Sequence, residues 1–417
     1  MAGRLHAAGH VILATVFVLL VTSRLVAAAD DPPIRIGLSA GFTGPTRAMA
    51  VELYRGALAC LEQRNRAGGV DGRPLELLAA DDGYEPDPAI ENTVHFLVDD
   101  KVVALFSQLG APTVSRILPV LRAYADQRGR LFFPVTGLEA TREAPNTHFV
   151  YNLRASYRQE IEALVNAFVR KGLTRIALGY QADAFGRSGW DGAGLALGRR
   201  GINLRGEATF ARAATVTADM TAQARILAAA DPQAILIIGA APGCAALIRD
   251  IRRMGLTTPV GVVSFAGGEL LLTLLETEGA EHGLDLEGNL LLSQVTPGWR
   301  DSTLPAAREY RQALAGLATC PPPPGGWSRT QPEGSAIGFE GFLNAKLLLA
   351  VLSAMPDPCD RRYLDEAVAA IGQVDLGIGT PVSLTGPDHQ GLDHVYLFTA
   401  KKGRLIPQNA SAATDGE

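Results

Sequence analysis

Motifs for catalysis, metal binding and nucleic-acid recognition are missing from this chain, and each absence removes a class of activity. There is no G-K-[ST] sequence to cradle a phosphate. The histidines beyond residue 29, His95, His148, His282, His389 and His394, are scattered and form no H-E-x-x-H or similar spacing, so no metal site is expected. Gly186-Arg187-Ser188-Gly189-Trp190 lacks the second glycine of a nucleophile elbow. Gly192 to Gly198, G-A-G-L-A-L-G, superficially resembles a dinucleotide loop. It follows Trp190-Asp191 inside a helical segment rather than joining strand to helix, so small residues packing a helix explain it better. No catalytic residue and no cofactor is expected, and an enzyme is the least favoured reading.

Cysteine is equally sparse. Cys60, Cys244, Cys320 and Cys359 are widely spaced and make no C-x-x-C pair. Cys60 falls in a helical pattern and reads as a buried thiol. Cys320 and Cys359 flank one segment and form the most plausible disulfide if the chain is exported, though spacing alone does not fix the geometry. No basic tract occurs, and the net charge of -5 disfavours a nucleic-acid partner. The apolar run at the start, Val11 to Val21, is too short to span a bilayer and is closed by Arg24. With Arg4 before it and Ala27-Ala28-Ala29 after it, it reads as a secretory signal cleaved after Ala29. Cleavage would remove Arg4 and Arg24 and no acid, taking the charge from -5 to -7. No cysteine follows the run closely enough for a lipid anchor, so a soluble exported protein is expected.

What the chain does contain is a repeated strand-and-helix pattern over 417 residues, with 47% hydrophobic and 19% charged residues. That length suits two domains. Ile34 to Ser39 reads as a strand, followed by A-G-F-T-G-P and a helix from about Ala48 to Arg66, which ends at Ala67-Gly68-Gly69. Further cycles place strands at Leu75 to Ala80, Val102 to Ser107 and Leu131 to Val135, with helices at about 87 to 99 and 113 to 127. The pattern restarts after Tyr151: helix Ser156 to Lys171, strand Arg175 to Tyr180, strand Ala234 to Ile238, helix Cys244 to Met254, strand Val260 to Phe265, strand Asn289 to Val295. Such βα repeats predict parallel sheets with helices on both faces. Pro321 to Pro324 with Gly325-Gly326 reads as a surface loop.

Several of these segments resemble the type I periplasmic binding proteins, especially the leucine/isoleucine/valine-binding branch. The most specific stretch is N-R-A-G-G-V-D-G-R-P-L-E-L-L-A-A-D-D, Asn65 to Asp82. Tyr180 to Gly186, Ile251 to Leu256 and His389 to Phe398 also match. The resemblance implies two doubly wound, Rossmann-like α/β lobes joined by three hinge crossings, expected near 151, 296 and 380. Lobe one would hold 33–151 and 297–379, lobe two 152–296 and 380–405, with 406–417 a loose tail. It further implies a monomeric periplasmic protein that takes a small-molecule ligand, an amino acid, amide or small carboxylate, to the permease of an ABC transporter. A sensor read by a membrane receptor is the alternative.

Ligands of open α/β sheets bind beyond the carboxyl ends of the strands, where helix N-termini present unpaired N–H groups. Gly110, Ala111, Pro112 and Thr113 open one such helix. Thr113 can cap it or donate to a ligand. By resemblance, Val135, Thr136 and Gly137 would contact an amino-acid head group and Phe185 would cover it. Ala240 and Ala241 stand where those relatives carry tyrosines, so one aromatic wall is lost beside Ala241. Glu269 lies near the region that supplies an acid for a ligand ammonium, or is a solvated helix-start acid. Asn152, Arg154, Tyr157 and Glu340 cluster near the crossings. Arg154 could bind a carboxylate bidentately or pair with Glu340 at the hinge.

Overall fold

The computed structural model describes residues 32–317, 321–326 and 334–408. The expected signal segment and Cys320, with its expected bridge to Cys359, lie outside them.

The Ile34–Ala40 strand, β1, is apolar and buried apart from Arg35, as a strand covered on both faces must be. It is second in a five-stranded parallel sheet of order β2-β1-β3-β4-β5, with β2 Leu75–Asp81, β3 Ala104–Phe106, β4 Leu131–Phe132 and β5 Val150–Tyr151. Three helices connect its strands: α1 (Arg47–Arg66), α2 (Pro86–Val98) and α3 (Ala111–Ala123). The stop after α1 is built on Gly69 at φ 72°, where an added Cβ would come within 1.9 Å of the Arg73 carbonyl oxygen.

A second sheet of seven strands has the order β14-β13-β10-β9-β8-β6-β7. Its parallel part comprises β6 (Ile176–Gln181), β7 (Glu207–Phe210), β8 (Ala234–Ile238), β9 (Val260–Val262) and β10 (Leu290–Gln294). β13 (Tyr396–Lys401) and β14 (Arg404–Pro407) add to it antiparallel. Its helices are α4 (Tyr157–Arg170), α5 (Ala184–Gly198), α6 (Thr221–Ala229), α7 (Ala241–Arg253) and α8 (Glu269–His282). A capping box of Ser156 and Gln159 starts α4, and the Asp183 carboxylate accepts the Phe185 and Gly186 amides at the start of α5.

After β10 the chain returns to the first sheet as α9 (Pro305–Ala315), α10 (Ala336–Ser353) and α11 (Leu364–Ile371). α10 is apolar almost all round and is buried, packed along α1. Asp365 of α11 accepts from Arg130 at 2.7 Å and from the Tyr151 hydroxyl at 3.0 Å, fixing that helix to the end of the first sheet. A two-stranded ribbon, β11 (Gln373–Val374) with β12 (Val382–Ser383), leads back to β13.

The chain therefore passes between the sheets after β5, after β10 and before β13. The first and last passages run side by side: Asn152 N–H donates to the His389 carbonyl at 2.7 Å, and Leu392 N–H to that of Leu153 at 2.8 Å.

Some expected limits move. α7 starts at Ala241 rather than Cys244 because Pro242 suits a first helical turn. β4 stops at Phe132, since Phe133 has φ 54° and cannot extend a strand. β9 stops at Val262 and gives way to a 3₁₀ turn, Ser264–Ala266. Ile406 and Pro407, expected in a loose tail, pair with Thr399 and Phe398 in β14.

Candidate functional site

The carboxyl ends of the parallel strands of the two sheets face one another, and side chains from both fill the space between. Tyr84 comes from the loop after β2 and is fully buried. Its ring stacks at 6.1 Å on Phe265 of the second sheet's 3₁₀ turn. Phe265 meets Phe185 at 4.8 Å, and Phe185 meets Tyr157 at 4.7 Å. The Tyr84 hydroxyl accepts from Gln181 Nε2 at 3.4 Å, while Gln181 Oε1 accepts the Ala240 amide at 3.1 Å.

Tyr84 has φ 65°, unusual for a bulky residue. Asp82 holds it there: one carboxylate oxygen accepts the Tyr84 amide at 2.8 Å and the other the Ser39 hydroxyl at 2.7 Å. Burial pushes the Asp82 carboxyl up to about 7.

Beside the aromatic group lies a buried ionic cluster. Arg154 donates to Glu160 at 3.2 Å, to Glu340 at 3.3 Å and to the Ser264 hydroxyl. Glu160 also accepts the Ser264 amide at 2.8 Å and the Ser293 hydroxyl at 2.6 Å. Burial raises the Glu340 pKa against the pull of Arg154. Burial also opposes the charge of Arg154, but Glu340 and Glu160 outweigh it and its pKa rises. The cluster ties α10, the first crossing, α4 and the loop after β9 together.

Beside Phe265, on whose ring Tyr84 stacks, opens a cleft of about 580 Å³. One wall is the start of α1, with Thr46, Arg47, Met49, Val51 and Glu52; the other is Ala240 to Pro242, Phe265, Ala266 and the start of α8. Its lining is mostly apolar, and among the described residues its charged members are Arg47, Glu52 and Glu269.

The residues expected to bind ligand are drawn together here, but many already have partners. Thr113 donates its hydroxyl to the Leu109 carbonyl at 2.6 Å. The Gly110 amide donates to Val135 at 3.1 Å, and the Val135 amide to Gln108 at 2.9 Å. Thr136 donates to the Tyr157 hydroxyl at 3.4 Å and accepts the Leu138 amide at 3.2 Å. Gly137 accepts the Tyr157 amide at 2.8 Å, with the Tyr157 ring too close for any Cβ. Ala111 and Pro112 are buried in the first turn of α3. Phe185 is packed inside the aromatic group and does not line the cleft; Ala241 and Glu269 do.

Glu269 is not a solvated acid. Its two oxygens accept the Trp299 indole N–H at 2.7 Å and the Ala336 amide at 3.0 Å, and burial raises its pKa. It thus links α8 to the second crossing and to the start of α10. Asn152 is also internal, exchanging hydrogen bonds with Thr141 at 2.9 and 3.1 Å.

Tyr84, Phe265, Gln181 and Asp82 were missed in the sequence. The usable signal for Tyr84 was position: Asp82-Gly83-Tyr84 follows β2, where ligand loops belong. Nothing local marks Phe265 as its partner, because that contact spans the sheets.

A family model for periplasmic binding proteins matches residues 33–404. An amino acid binding protein of Pseudomonas aeruginosa is 24% identical over 277 residues, covering 63% of this chain and 71% of the relative. Among solved structures, a possible leucine/isoleucine/valine-binding protein of Rhodopirellula baltica has a TM-score of 0.80 at 26% identity, covering 93% of this chain and 99% of its own. A substrate-binding periplasmic protein of Ralstonia solanacearum has a TM-score of 0.79 at 25% identity, covering 90% and 100%. With two α/β sheets facing across a cleft and a family match over nearly all of its length, the chain belongs to the periplasmic binding protein family, with the type I fold.

Proposed function

We propose that the protein is exported by a cleaved signal ending at Ala29 and acts in the periplasm as a monomeric solute-binding protein. It captures a small molecule, an amino acid, amide or small carboxylate, and hands it to the permease of an ABC transporter. The observation that carries this reading is the cleft between the start of α1 and the starts of α7 and α8, with one wall from each sheet's unit. A ligand touching both walls stabilises the closed form by its differential contacts, with the lobes pivoting on crossings near 151, 296 and 380. The amino acid binding relative from Pseudomonas aeruginosa supports the ligand range.

The test pairs a thermal-shift screen of the mature protein against those three compound classes with small-angle scattering. A hit should raise the melting temperature and shrink the radius of gyration. Stabilisation by none of them, with no compaction, would sink the proposal.

A further inference from the structure

β2 is the outer strand of the first sheet, and part of its free edge is open. In its parallel ladder with β1, the Ile34 amide donates to the Pro74 carbonyl and the Asp82 amide to that of Ala40. Glu76, Leu78 and Ala80 therefore bond inward, while the backbone groups of Leu75, Leu77, Ala79 and Asp81 turn outward. Both ends of that outward row are closed by side chains. Asn65 accepts the Leu75 amide at 2.8 Å and donates to the Leu75 carbonyl at 3.0 Å, and Asn92 donates to the Asp81 carbonyl at 3.1 Å. Between them, the amides and carbonyls of Leu77 and Ala79 have no hydrogen-bond partner among the described residues.

A groove of about 650 Å³ lies along this edge. Its lining joins residues 75–80 of β2 to Tyr54, Leu58 and Glu62, spaced four apart on one face of α1, and to Phe96 of α2. Pro321 to Pro324 line it too, with the Pro321 carbonyl accepting the Tyr54 hydroxyl at 3.3 Å. Proline has no N–H, and no backbone hydrogen bond joins this run to β2, so it borders the edge without pairing with it. The acids on the groove are Glu62, Glu76 and Asp100. Glu76 meets Arg35 at 3.1 Å and His95 reaches Asp100 at 3.4 Å, but among the described residues no lysine or arginine lines the groove.

An open edge accepts an extended segment, whose main chain supplies the hydrogen bonds and whose alternate side chains set the choice. A second copy of this chain would set the same acids against these, which is unfavourable, whereas lysine or arginine complements them. We propose that the edge at Leu77 and Ala79 is a docking site for an extended, basic segment of a partner protein, which joins the first sheet beside β2. The groove shares no lining residue with the cleft between the sheets, so this docking does not depend on solute capture.

The probe is a capped hexapeptide alternating lysine and valine, titrated into the mature protein. One control carries glutamate in place of lysine; the other is the lysine peptide N-methylated at every residue, which cannot donate from its main chain. The lysine peptide should bind with a Kd below about 1 mM and, near saturation, slow hydrogen exchange at the Leu77 and Ala79 amides at least about threefold. Both controls should bind at least about tenfold more weakly. Ala79→Pro removes an outward donor without touching a bond to β1, and should weaken the lysine peptide at least about fivefold. Glu76→Lys should weaken it by about as much while leaving the backbone intact, which guards against a folding defect in the proline variant. Absence of binding overturns the proposal, as does exchange unchanged at Leu77 and Ala79, equal binding of either control, or unchanged affinity in either variant that folds. A dimer of the mature protein that Ala79→Pro dissolves also overturns it, because the edge then belongs to a second copy.

Discussion

Asp82 shows how one buried carboxyl can set a site and leave a trace in stability. It is 1% exposed, and its ordinary pKa of 3.8 is raised to about 7 because burial disfavours the charged form. Between those values the folded protein keeps a proton that the unfolded chain has released. The stability linked to this group is therefore fully present below about pH 4 and is lost as pH rises through about 7. Asp82→Asn retains an acceptor for the Tyr84 amide but cannot ionise. The urea midpoint of the variant relative to wild type should be more favourable at about pH 8 than at about pH 5. Equal differences at both pH values would show that Asp82 does not titrate in this range. Arg154 follows a different logic: burial pulls its pKa down, and the two carboxylates beside it outweigh that pull. Such a cluster is weak grounds for stability but strong grounds for a fixed geometry, since removing one member strands the others.

At the scale of elements, one very close approach joins two helices far apart in sequence. Gly56 of α1 and Gly338 of α10 meet so tightly that a Cβ on Gly56 would lie 1.8 Å from the Gly338 carbonyl oxygen. Gly341 repeats this one turn on, with its Cβ position 2.4 Å from the Leu53 carbonyl oxygen. Backbone, not a flexible side chain, stands in the way, so the helices would have to separate. Gly56→Ala should destabilise the protein by about 1–3 kcal/mol through overpacking, although alanine favours helix locally. Chemical denaturation reads the result, and a neutral or stabilising change would show that the helices can part without loss. Glycines at this seam were visible in the sequence, but their pairing was not, because only the fold brings residues 56 and 338 together. The same division runs through the rest of the chain. The Ala234–Ile238 strand could be read directly, since an unbroken apolar run between turn signals has few other uses. The ends of β4 and β9 could not, because Phe133 turns at positive φ where its carbonyl accepts from Asn344, and Ser264 turns where its amide donates to Glu160, partners far away in sequence. Thr113 and Thr136 were recognised as polar groups at strand ends, yet only the folded partners reveal that their hydroxyls are engaged.

For the whole molecule, the question is what holds the two sheets' units together before any ligand arrives. Two kinds of contact cross the gap near the mouth. Tyr84 on Phe265 is apolar and fully buried, so salt should scarcely change it. Arg212 and Glu85 form an ion pair whose side chains are 27% and 50% exposed. A pair this open is worth less than about 1 kcal/mol and weakens as salt shortens the Debye length below about 10 Å. The closed form of the ligand-free protein should therefore be favoured partly by a salt-sensitive contact and partly by an insensitive one. Raising salt from about 0.05 to about 0.5 M should increase the radius of gyration of the ligand-free protein slightly, by shifting a population rather than by unfolding it. Arg212→Ala should start at the larger value and respond little to salt. If the variant shows the same salt response as wild type, other charges govern opening and the Arg212–Glu85 pair has no part in it. If neither responds, the aromatic contact and the ionic cluster around Arg154 are sufficient to keep the cleft closed.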